Sequence, residues 1–200
     1  MCDRRHHAHA KSNRRVSAFF DMRGFSIGSS NKFRECTRLN DPRTDPMVVG
    51  LYRCTVRGGA MESHPRLLVI KGHGVAYDRY ANGDGYWSYN PEFVDEITFI
   101  ELEAVQRVAA ELRRPFEAQI SRRNVATTGI RLDSLIGRRF SVGDAEFEGL
   151  RHCEPCKHLD ELTGLAVREL LVGRGGLRAR ILKTGTIAIG SKIVVAPQRN

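Results

Sequence analysis

Short apolar runs separated by glycine-rich or polar turns make up the chain from residue 47 onwards. Such runs are typical of β-strands, and the pattern predicts three in the first half, at residues 48–56, 66–71 and 96–100. A hairpin is expected at residues 139–148, with Gly143-Asp144 as its two-residue turn. Three more strands are expected near the C-terminus, at residues 177–182, 186–189 and 192–195.

Helical spacing is confined to two places. One face of a predicted helix, which Pro115 ends, is marked by five apolar residues: Leu102, Val105, Val108, Ala109 and Leu112. Residues 159–171 predict a short helix or two, interrupted at Gly164. Many short strands with few helices favour a mainly β, or β-rich α+β, fold in which a β-barrel carries helical insertions.

Residues 1–46 show no sustained hydrophobic period and are rich in His, Arg and Ser. They are predicted to form a disordered basic N-terminal extension, followed by a single domain at residues 47–200. A mitochondrial targeting peptide has a similar composition, but Asp3 and Asp21 argue against one. A natural start of the protein at Met47 would also explain the change of pattern.

Composition bounds the class of protein. The 200 residues are 41% hydrophobic and 28% charged, which is enough for one domain with its own core. The five cysteines are scattered and odd in number, and no run approaches the roughly 18 apolar residues of a membrane span, so a cytoplasmic protein without a membrane partner is expected. The net charge of +9 favours an anionic ligand: nucleic acid, acidic lipid or a phosphorylated small molecule.

The sequence Cys153-Glu154-Pro155-Cys156 is the first candidate for chemistry. Arg151, His152, Lys157 and His158 surround it, and cationic neighbours favour the thiolate, the form of cysteine that binds soft metals or attacks sulfur. A buried structural pair is the plain alternative. A thioredoxin-like role lacks the required βαβ context, since mostly strand-like sequence follows. A zinc site would need Cys54 with one of the two histidines to complete it.

Two basic motifs are ambiguous by themselves. Arg122-Arg123-Asn124 offers two guanidinium groups and an amide, which suit a phosphate or the edge of a heterocycle, but it also fits a solvated turn. Residues 173–178 carry three glycines with Arg174 and Arg178, which could hold an anion or simply connect two strands.

Taken in order along the chain, these motifs form a series. Its members are Gly72, Gly74, Asp78-Arg79-Tyr80, Arg123-Asn124-Val125, Gly129, Leu135, Gly137, Phe140, Val142-Gly143, Cys153, Cys156, Gly164, Gly173-Arg174, Gly176-Leu177, Ile181-Leu182, Gly185, Ile187 and Gly190. This series resembles the MOSC domain, the module found at the C-terminus of molybdenum cofactor sulfurases and in mitochondrial amidoxime-reducing proteins and bacterial relatives. The resemblance covers roughly residues 48 to 195.

The resemblance implies a β-barrel that binds the molybdenum cofactor (molybdopterin). By position, Cys156 matches the family's functional cysteine, as ligand of molybdenum or carrier of sulfur. Arg123 and Asn124 are then expected to anchor the cofactor, Arg174 to contact its phosphate, and Cys153 to support the site. Tyr77 and Ser191 stand where the family commonly has Gly and Asp, so the turns there are expected to differ.

Two activities are consistent with the resemblance. One is reductive removal of oxygen from an N-hydroxylated compound, with electrons from a separate reductase. The other is sulfur transfer from a separate sulfur donor, although this chain is too short to contain the pyridoxal-phosphate domain of the sulfurases. The non-enzymatic alternative is an anion- or nucleic-acid-binding β-barrel with incidental cysteines, of which the nucleic acid is the less expected partner because the predicted domain is only mildly basic.

Overall fold

The computed structural model describes residues 45–90 and 96–197. The strands within them are β1 (Met47–Arg53), β2 (Glu62–Ser63), β3 (Arg66–Ile70), β4 (Gly74–Val75), β5 (Ile97–Glu101), β6 (Val125–Thr128), β7 (Arg139–Val142), β8 (Ala145–His152), β9 (Leu177–Lys183), β10 (Gly185–Ala188) and β11 (Ile193–Val195). The α-helices there are α1 (Leu102–Leu112), α2 (Lys157–Thr163) and α3 (Val167–Leu170). Of residues 1–46, which were predicted to be disordered, only Asp45 and Pro46 are among the described residues. The disorder therefore stays a prediction.

The strands form two sheets, which confirms the mainly β fold. The larger sheet has the order β11-β7-β8-β9-β5-β6-β1-β2, and the smaller one has the order β10-β3-β4. All neighbouring strands are antiparallel except β5 and β6, which run parallel with Phe99 opposite Val125. Parallel strands need a long crossover between them. Helix α1 lies within this crossover.

The predicted closed β-barrel is not formed by the described strands. The two ends of the larger sheet meet along a short contact, where Met47 bridges Lys192 and the amide of Val48 donates to the carbonyl of Ser191 at 3.0 Å. The carbonyls of Val48 and Pro46 accept from the amides of Gly190 and Ile193, both at 2.8 Å. Strand β11 has only three residues. One edge of β1 is paired with β6, and the C-terminal end of its other edge is paired with β2. The remaining edge is therefore too short for a continuous ladder between β1 and β11.

Three phenylalanines hold the centre of the core. The rings of Phe99, Phe140 and Phe147 lie 5.4–5.5 Å apart, and all three are at most 1% exposed. They come from β5 and from the two strands of the β7–β8 hairpin, so they join parts of the chain that are distant in sequence. Removing one ring from such a core typically lowers stability by about 3–5 kcal/mol.

Helix α1 confirms the predicted helical face. Val105 and Val108 are buried, and Leu102, Ala109 and Leu112 pack partly buried against the same cluster. The helix ends before Pro115, because Arg113 adopts a left-handed conformation (φ 52°) and its amide turns back to the carbonyl of Ala110. The described helices are all too short or too polar to cross a bilayer.

Several elements differ from the sequence pattern, among them the short strands β2 and β4, which were not predicted, and β8, which extends to His152. Strand β1 ends at Arg53 and not at residue 56, because the amide of Cys54 bonds the Asp78 carboxylate at 3.1 Å and its carbonyl accepts from the amide of Arg79 at 2.7 Å. Strand β6 was not predicted. All four of its residues are buried, so it lacks the polar alternation that marks a strand with one exposed face.

Candidate functional site

A basic cleft opens where the start of β5, the end of β8 and the beginning of α2 come together. It encloses about 800 Å³, counting the part that is open to solvent. Five arginines and three acids line it: Arg57, Arg79, Arg122, Arg123 and Arg178, and Asp78, Glu96 and Glu154. Asn124, Cys153 and Cys156 also face the cleft, so the fold brings together motifs that lie far apart in sequence.

Cys156 carries the accessible thiol of the Cys-x-x-Cys motif. Cys153 follows β8 directly and is 1% exposed, whereas Cys156 is partly exposed. Cys156 occupies the position before the first residue of α2, where the backbone is still extended (φ −120°, ψ 165°). A sulfur atom must be reachable in order to bind a metal or attack a substrate. Cys156 is therefore the one of the two that can meet a ligand without rearrangement.

The guanidinium of Arg123 holds the backbone beneath these cysteines. Its Nε donates to the carbonyl of Gly175 at 2.8 Å, its Nη1 to that of Ser121 at 3.0 Å, and its Nη2 to that of Cys153 at 2.8 Å. The residue is 8% exposed. Three of the five N–H bonds of the guanidinium are thus used within the protein, which leaves two for the cofactor contact predicted from the sequence.

Gly175 and Gly176 allow the chain to approach the cysteine segment closely. A Cβ atom on Gly175 would collide with the carbonyl oxygen of Cys153, and one on Gly176 with the carbonyl oxygen of Phe99. The glycine-rich connection at residues 173–176 is therefore required for backbone packing behind the cleft. Arg174 is exposed and does not line the cleft, so its predicted phosphate contact stays a prediction without support from its position.

The side chain of Asn124 joins three parts of the fold. Its Oδ1 accepts from the amide and the hydroxyl of Thr98 at 3.2 and 2.9 Å. Its Nδ2 donates to the carbonyl of Tyr52 at 3.2 Å and to Oδ2 of Asp78 at 3.4 Å. The amide group is fully engaged by these contacts. Asn124 consequently has a positioning role, and direct cofactor anchoring by it remains a prediction.

Asp78 receives four hydrogen bonds and orients Arg79. In addition to Asn124, the donors are the amides of Cys54 and Tyr80, both at 3.1 Å, and Nη1 of Arg79 at 3.3 Å. Asp78 and Arg79 are 2% and 7% exposed. The guanidinium of Arg79 also lies 5.0 Å from the ring centre of Tyr80, a favourable cation–π distance. These contacts fix the direction of the Arg79 side chain, which lines the cleft.

Arg122 lies close to Arg79 and adds a second positive charge. Burial lowers the pKa of the Arg122 guanidinium, and the charge of Arg79 lowers it further. Its Nη1 donates to the carbonyl of Gly59 at 2.7 Å. Like charges in a partly dry cleft repel each other unless an anion lies near both. These two arginines therefore concentrate positive charge in this part of the cleft, and Asp78 neutralises only part of it.

Aromatic rings form one side of the cleft. Tyr86 stacks on His158 with ring centres 4.0 Å apart, and it meets Trp87 edge to face at 5.0 Å. Nδ1 of His158 is 3.6 Å from Oε2 of Glu161. Burial raises the pKa of the Tyr80 hydroxyl, so this group is protonated and able to donate a hydrogen bond at neutral pH. The cleft thus offers flat apolar surface beside its charges.

Tyr77 and Ser191, where the turns were expected to differ from those of the family, both lie in turns of this structure. Tyr77 has φ 63°, the left-handed conformation for which glycine is the usual residue. Oγ of Ser191 accepts a hydrogen bond from the amide of Ala188 at 3.2 Å, a contact that an aspartate could also make. Tyr77 therefore has a strained backbone conformation directly before Asp78. The hydrogen bonds around the Asp78 carboxylate hold the backbone in this position.

The surroundings of the cysteines do not match the zinc or the thioredoxin-like alternative. Among residues 45–90 and 96–197, no group of three or more His, Cys, Asp and Glu side chains is arranged to hold a metal ion, so the zinc site is not supported. Cys153 follows an antiparallel strand, β8, which differs from the βαβ setting of a thioredoxin-like motif. The described cysteines Cys54, Cys153 and Cys156 are free thiols.

Some lining residues were missed or left ambiguous by the sequence. Arg178, which the sequence offered only as part of an ambiguous glycine-rich motif, lies on β9 opposite Thr98 and Arg151 and lines the cleft. Tyr86 and Trp87 belong to a segment that the glycines identified only as a connection. Arg79 and Arg122 each had a signal, in the Asp-Arg-Tyr and Arg-Arg-Asn sequences, but only the tertiary structure shows that both guanidinium groups line the same cleft.

Comparison with known proteins agrees with the fold and the motifs. The family model described as MOSC domain matches residues 93–194, and the chain belongs to this family. MOSC domains are associated in general with the molybdenum cofactor, so the chain is a molybdenum-cofactor-related protein in that general sense. No curated protein matches the chain significantly.

Solved structures show the same fold. The YuaD protein from Bacillus subtilis is 20% identical with a TM-score of 0.64, over 78% of this chain and 98% of that one. YiiM from Escherichia coli is 16% identical with a TM-score of 0.58, over 78% and 71% of the two chains. YiiM from Geobacillus stearothermophilus is 18% identical with a TM-score of 0.56, over 76% and 74%. At these identities the likeness concerns the fold alone.

Proposed function

We propose that the cleft binds the molybdenum cofactor and that Cys156 is its protein thiolate, as a ligand of molybdenum or as a carrier of sulfur. The observation that carries the proposal is the accessible Cys156 thiol in a cleft that also holds the Arg79 and Arg122 pair. Cys156 is the only partly exposed cysteine among the described residues, while Cys54 and Cys153 are buried.

The donor set fits this cofactor. A thiolate is a soft ligand of the kind that suits a high-valent metal already bound by sulfur. Guanidinium groups bind phosphate by charge-assisted hydrogen bonds, and Arg79, Arg122 and Arg178 place such groups in the same cleft. Tyr86 and Trp87 offer rings against which a flat heterocycle can pack. The residues present therefore match both the metal and the organic part of the cofactor.

Each group of side chains has its own task. When bound, the cofactor would supply a redox-active metal centre. Arg79 and Arg122 bind the phosphate, and Asp78 and Asn124 orient Arg79. The two N–H bonds of Arg123 that the backbone leaves free supply the anchoring contact predicted for that residue. Tyr86 and Trp87 would pack against the flat organic part of the cofactor.

For the activity, we favour reduction of an N-hydroxylated compound. In that reaction the N–O bond breaks, two electrons and two protons are consumed, and the products are an amine or amidine and water. The electrons come from a separate reductase, since the described residues show no flavin or iron–sulfur motif. Sulfur transfer is the second candidate, favoured by the second thiol, Cys153, beside Cys156 in the same cleft.

The test is the metal and pterin content of the protein. Full-length protein is purified from a host with intact molybdenum cofactor synthesis and from a host that lacks it. Protein from the first host is expected to contain molybdenum and pterin in comparable molar amounts, and Cys156→Ser to lose most of the metal, whereas Cys153→Ser keeps much of it. Equal metal loss in both cysteine variants would indicate a dithiol site.

Absence of molybdenum and pterin from the protein of the first host would overturn the proposal. The cleft would then be assigned to the non-enzymatic alternative, the binding of a different anion. The wild-type protein from the second host is the blank for metal carried along in purification.

A further inference from the structure

We propose that Arg123 is a positioning residue that fixes the cysteine segment, so that Cys156 stays accessible while Cys153 stays buried. This inference deepens the proposed function, because it concerns how the reactive thiol of that site is presented. It assigns to Arg123 a task that is separate from any contact with the cofactor.

The contacts of Arg123 are all with backbone carbonyls. Its three donors reach Ser121, Cys153 and Gly175, which belong to three different segments of the chain. Among the described residues, no carboxylate lies within ion-pair distance of this guanidinium, although the residue is only 8% exposed. A buried cation whose contacts are carbonyl groups serves to hold those carbonyls in place.

The held carbonyl of Cys153 determines where Cys156 lies. The amide of Cys153 donates to the carbonyl of Gly176 at 2.7 Å, while its own carbonyl accepts from Arg123. Both peptide groups of Cys153 are thus fixed. Glu154 and Pro155 alone separate it from Cys156, and the proline ring restricts the backbone between them.

The other end of the segment is fixed by helix α2. The carbonyl of Cys156 accepts from the amide of Leu159 at 2.9 Å, and the side chain of Leu159 is buried at 4% exposure. The cysteine segment is therefore held at Cys153 by Arg123 and at Cys156 by α2. Loss of the hydrogen bond from Arg123 would therefore expose the Cys153 thiol while leaving α2 in place.

Arginine is required here because the three carbonyls lie in different directions. A guanidinium has donors on three nitrogen atoms in one plane, whereas the ammonium of lysine has one nitrogen atom. The neighbouring Arg122 provides a matched control. It is partly buried in the same cleft, but among the described residues its guanidinium makes a single bond to the backbone, to the carbonyl of Gly59.

The experiment measures alkylation of each cysteine by iodoacetamide in full-length, cofactor-free protein, well below the melting temperature of every variant. Peptide mass spectrometry separates the sites. In the wild type, Cys156 is expected to react while Cys153 and Cys54, which are 1% and 2% exposed, are protected. In Arg123→Lys, Cys153 is expected to react at least about tenfold faster than in the wild type, because the loss of charge-assisted hydrogen bonds raises the population of the locally opened segment by roughly this factor or more. Cys54 should remain protected.

Gly175→Ala tests the same hold from the opposite side, since its Cβ would displace the Cys153 carbonyl, and it should give the same labelling pattern. Arg122→Lys should leave Cys153 protected.

Two results would overturn the proposal. One is unchanged protection of Cys153 in both Arg123→Lys and Gly175→Ala. The other is equal loss of protection at Cys153 and Cys54, which would show that Arg123 contributes to global stability only. Because no cofactor is present, neither result depends on whether the protein binds molybdenum.

Discussion

Asn124 donates a hydrogen bond through Nδ2 to Oδ2 of Asp78 at 3.4 Å, and this contact connects a residue just before β6 with the residue that orients Arg79. The two residues are 46 positions apart in sequence. Both are buried, at 7% and 2% exposure. The Asn124 amide also donates to the carbonyl of Tyr52 and accepts two bonds from Thr98, and an amide is the type of side chain that can donate two bonds and accept two at once.

Asn124→Asp is expected to lower stability by about 3–5 kcal/mol at neutral pH, because it places two carboxylates together in a buried site. The introduced carboxyl is protonated more readily in the folded protein than in the unfolded one. Its folded pKa is therefore raised, and the loss of stability grows as pH rises through that value. Thermal unfolding at pH 5 and pH 8 measures this.

The control for this substitution is Asn82→Asp, which makes the same chemical change at an exposed position. It should change the melting temperature little at either pH. Equal effects of the two substitutions would contradict the role of Asn124 as the centre of the network.

Arg79→Gln and Arg122→Gln are each expected to weaken the binding of inorganic phosphate by roughly ten- to a hundredfold, since hydrogen bonds to charged groups contribute about 1.5–3 kcal/mol. Trp87 is the single tryptophan of the chain and lines the cleft, so its fluorescence reports binding. Arg66→Gln removes an exposed arginine on β3 that does not line the cleft, and it should bind like the wild type. Equal weakening in all three variants would indicate a diffuse field of charge.

Glu101→Gln should remove a pH-dependent loss of stability. Burial raises the pKa of Glu101, although the amide of Leu132 and the charge of Arg131 oppose this. A raised folded pKa means that the folded protein binds the proton more tightly, so stability is highest below the unfolded pKa and falls as pH rises to the folded one. The glutamine can still accept from Leu132.

The melting temperature of Glu101→Gln is therefore expected to equal or slightly exceed that of the wild type at pH 7. At pH 4 the difference between variant and wild type should shift in favour of the wild type. Since Glu101 is partly exposed, the difference should be small. A variant that is less stable than the wild type by the same amount at both pH values would show that the Arg131 contact matters more than the burial of charge.

Removal of residues 1–44 should leave the melting temperature unchanged within about 2 °C, less than the shift expected for 1 kcal/mol in a domain of this size. The sequence of these residues offers little apolar surface. A chain that begins at Met47 should melt lower than one that begins at Asp45. It would lack the Pro46 carbonyl, which accepts from the amide of Ile193 at 2.8 Å, and the ion pair of Asp45 with Lys192. Equal melting of the two shortened chains would contradict this.

Local pattern was enough to predict much of the fold. The hairpin at Gly143-Asp144, the face of α1 and the strands near the C-terminus follow from hydrophobic period and turn residues, which act within a few positions of each other. The order of the motifs also indicated the family. These features are set by the sequence itself because each depends on the preferences of neighbouring residues.

The tertiary structure decided the rest. Strand β6 could not be distinguished from a buried loop, because its polar alternation is lost when both faces are covered. Closure of the larger sheet depends on how many residues remain unpaired on β1, which local pattern does not fix. The directions of Arg122, Arg123 and Asn124 differ since each bonds a different distant segment: Gly59, the carbonyls of Cys153 and Gly175, and Asp78. The sequence determined which groups are present, and long-range hydrogen bonds determined which of them face the cleft and which hold it together.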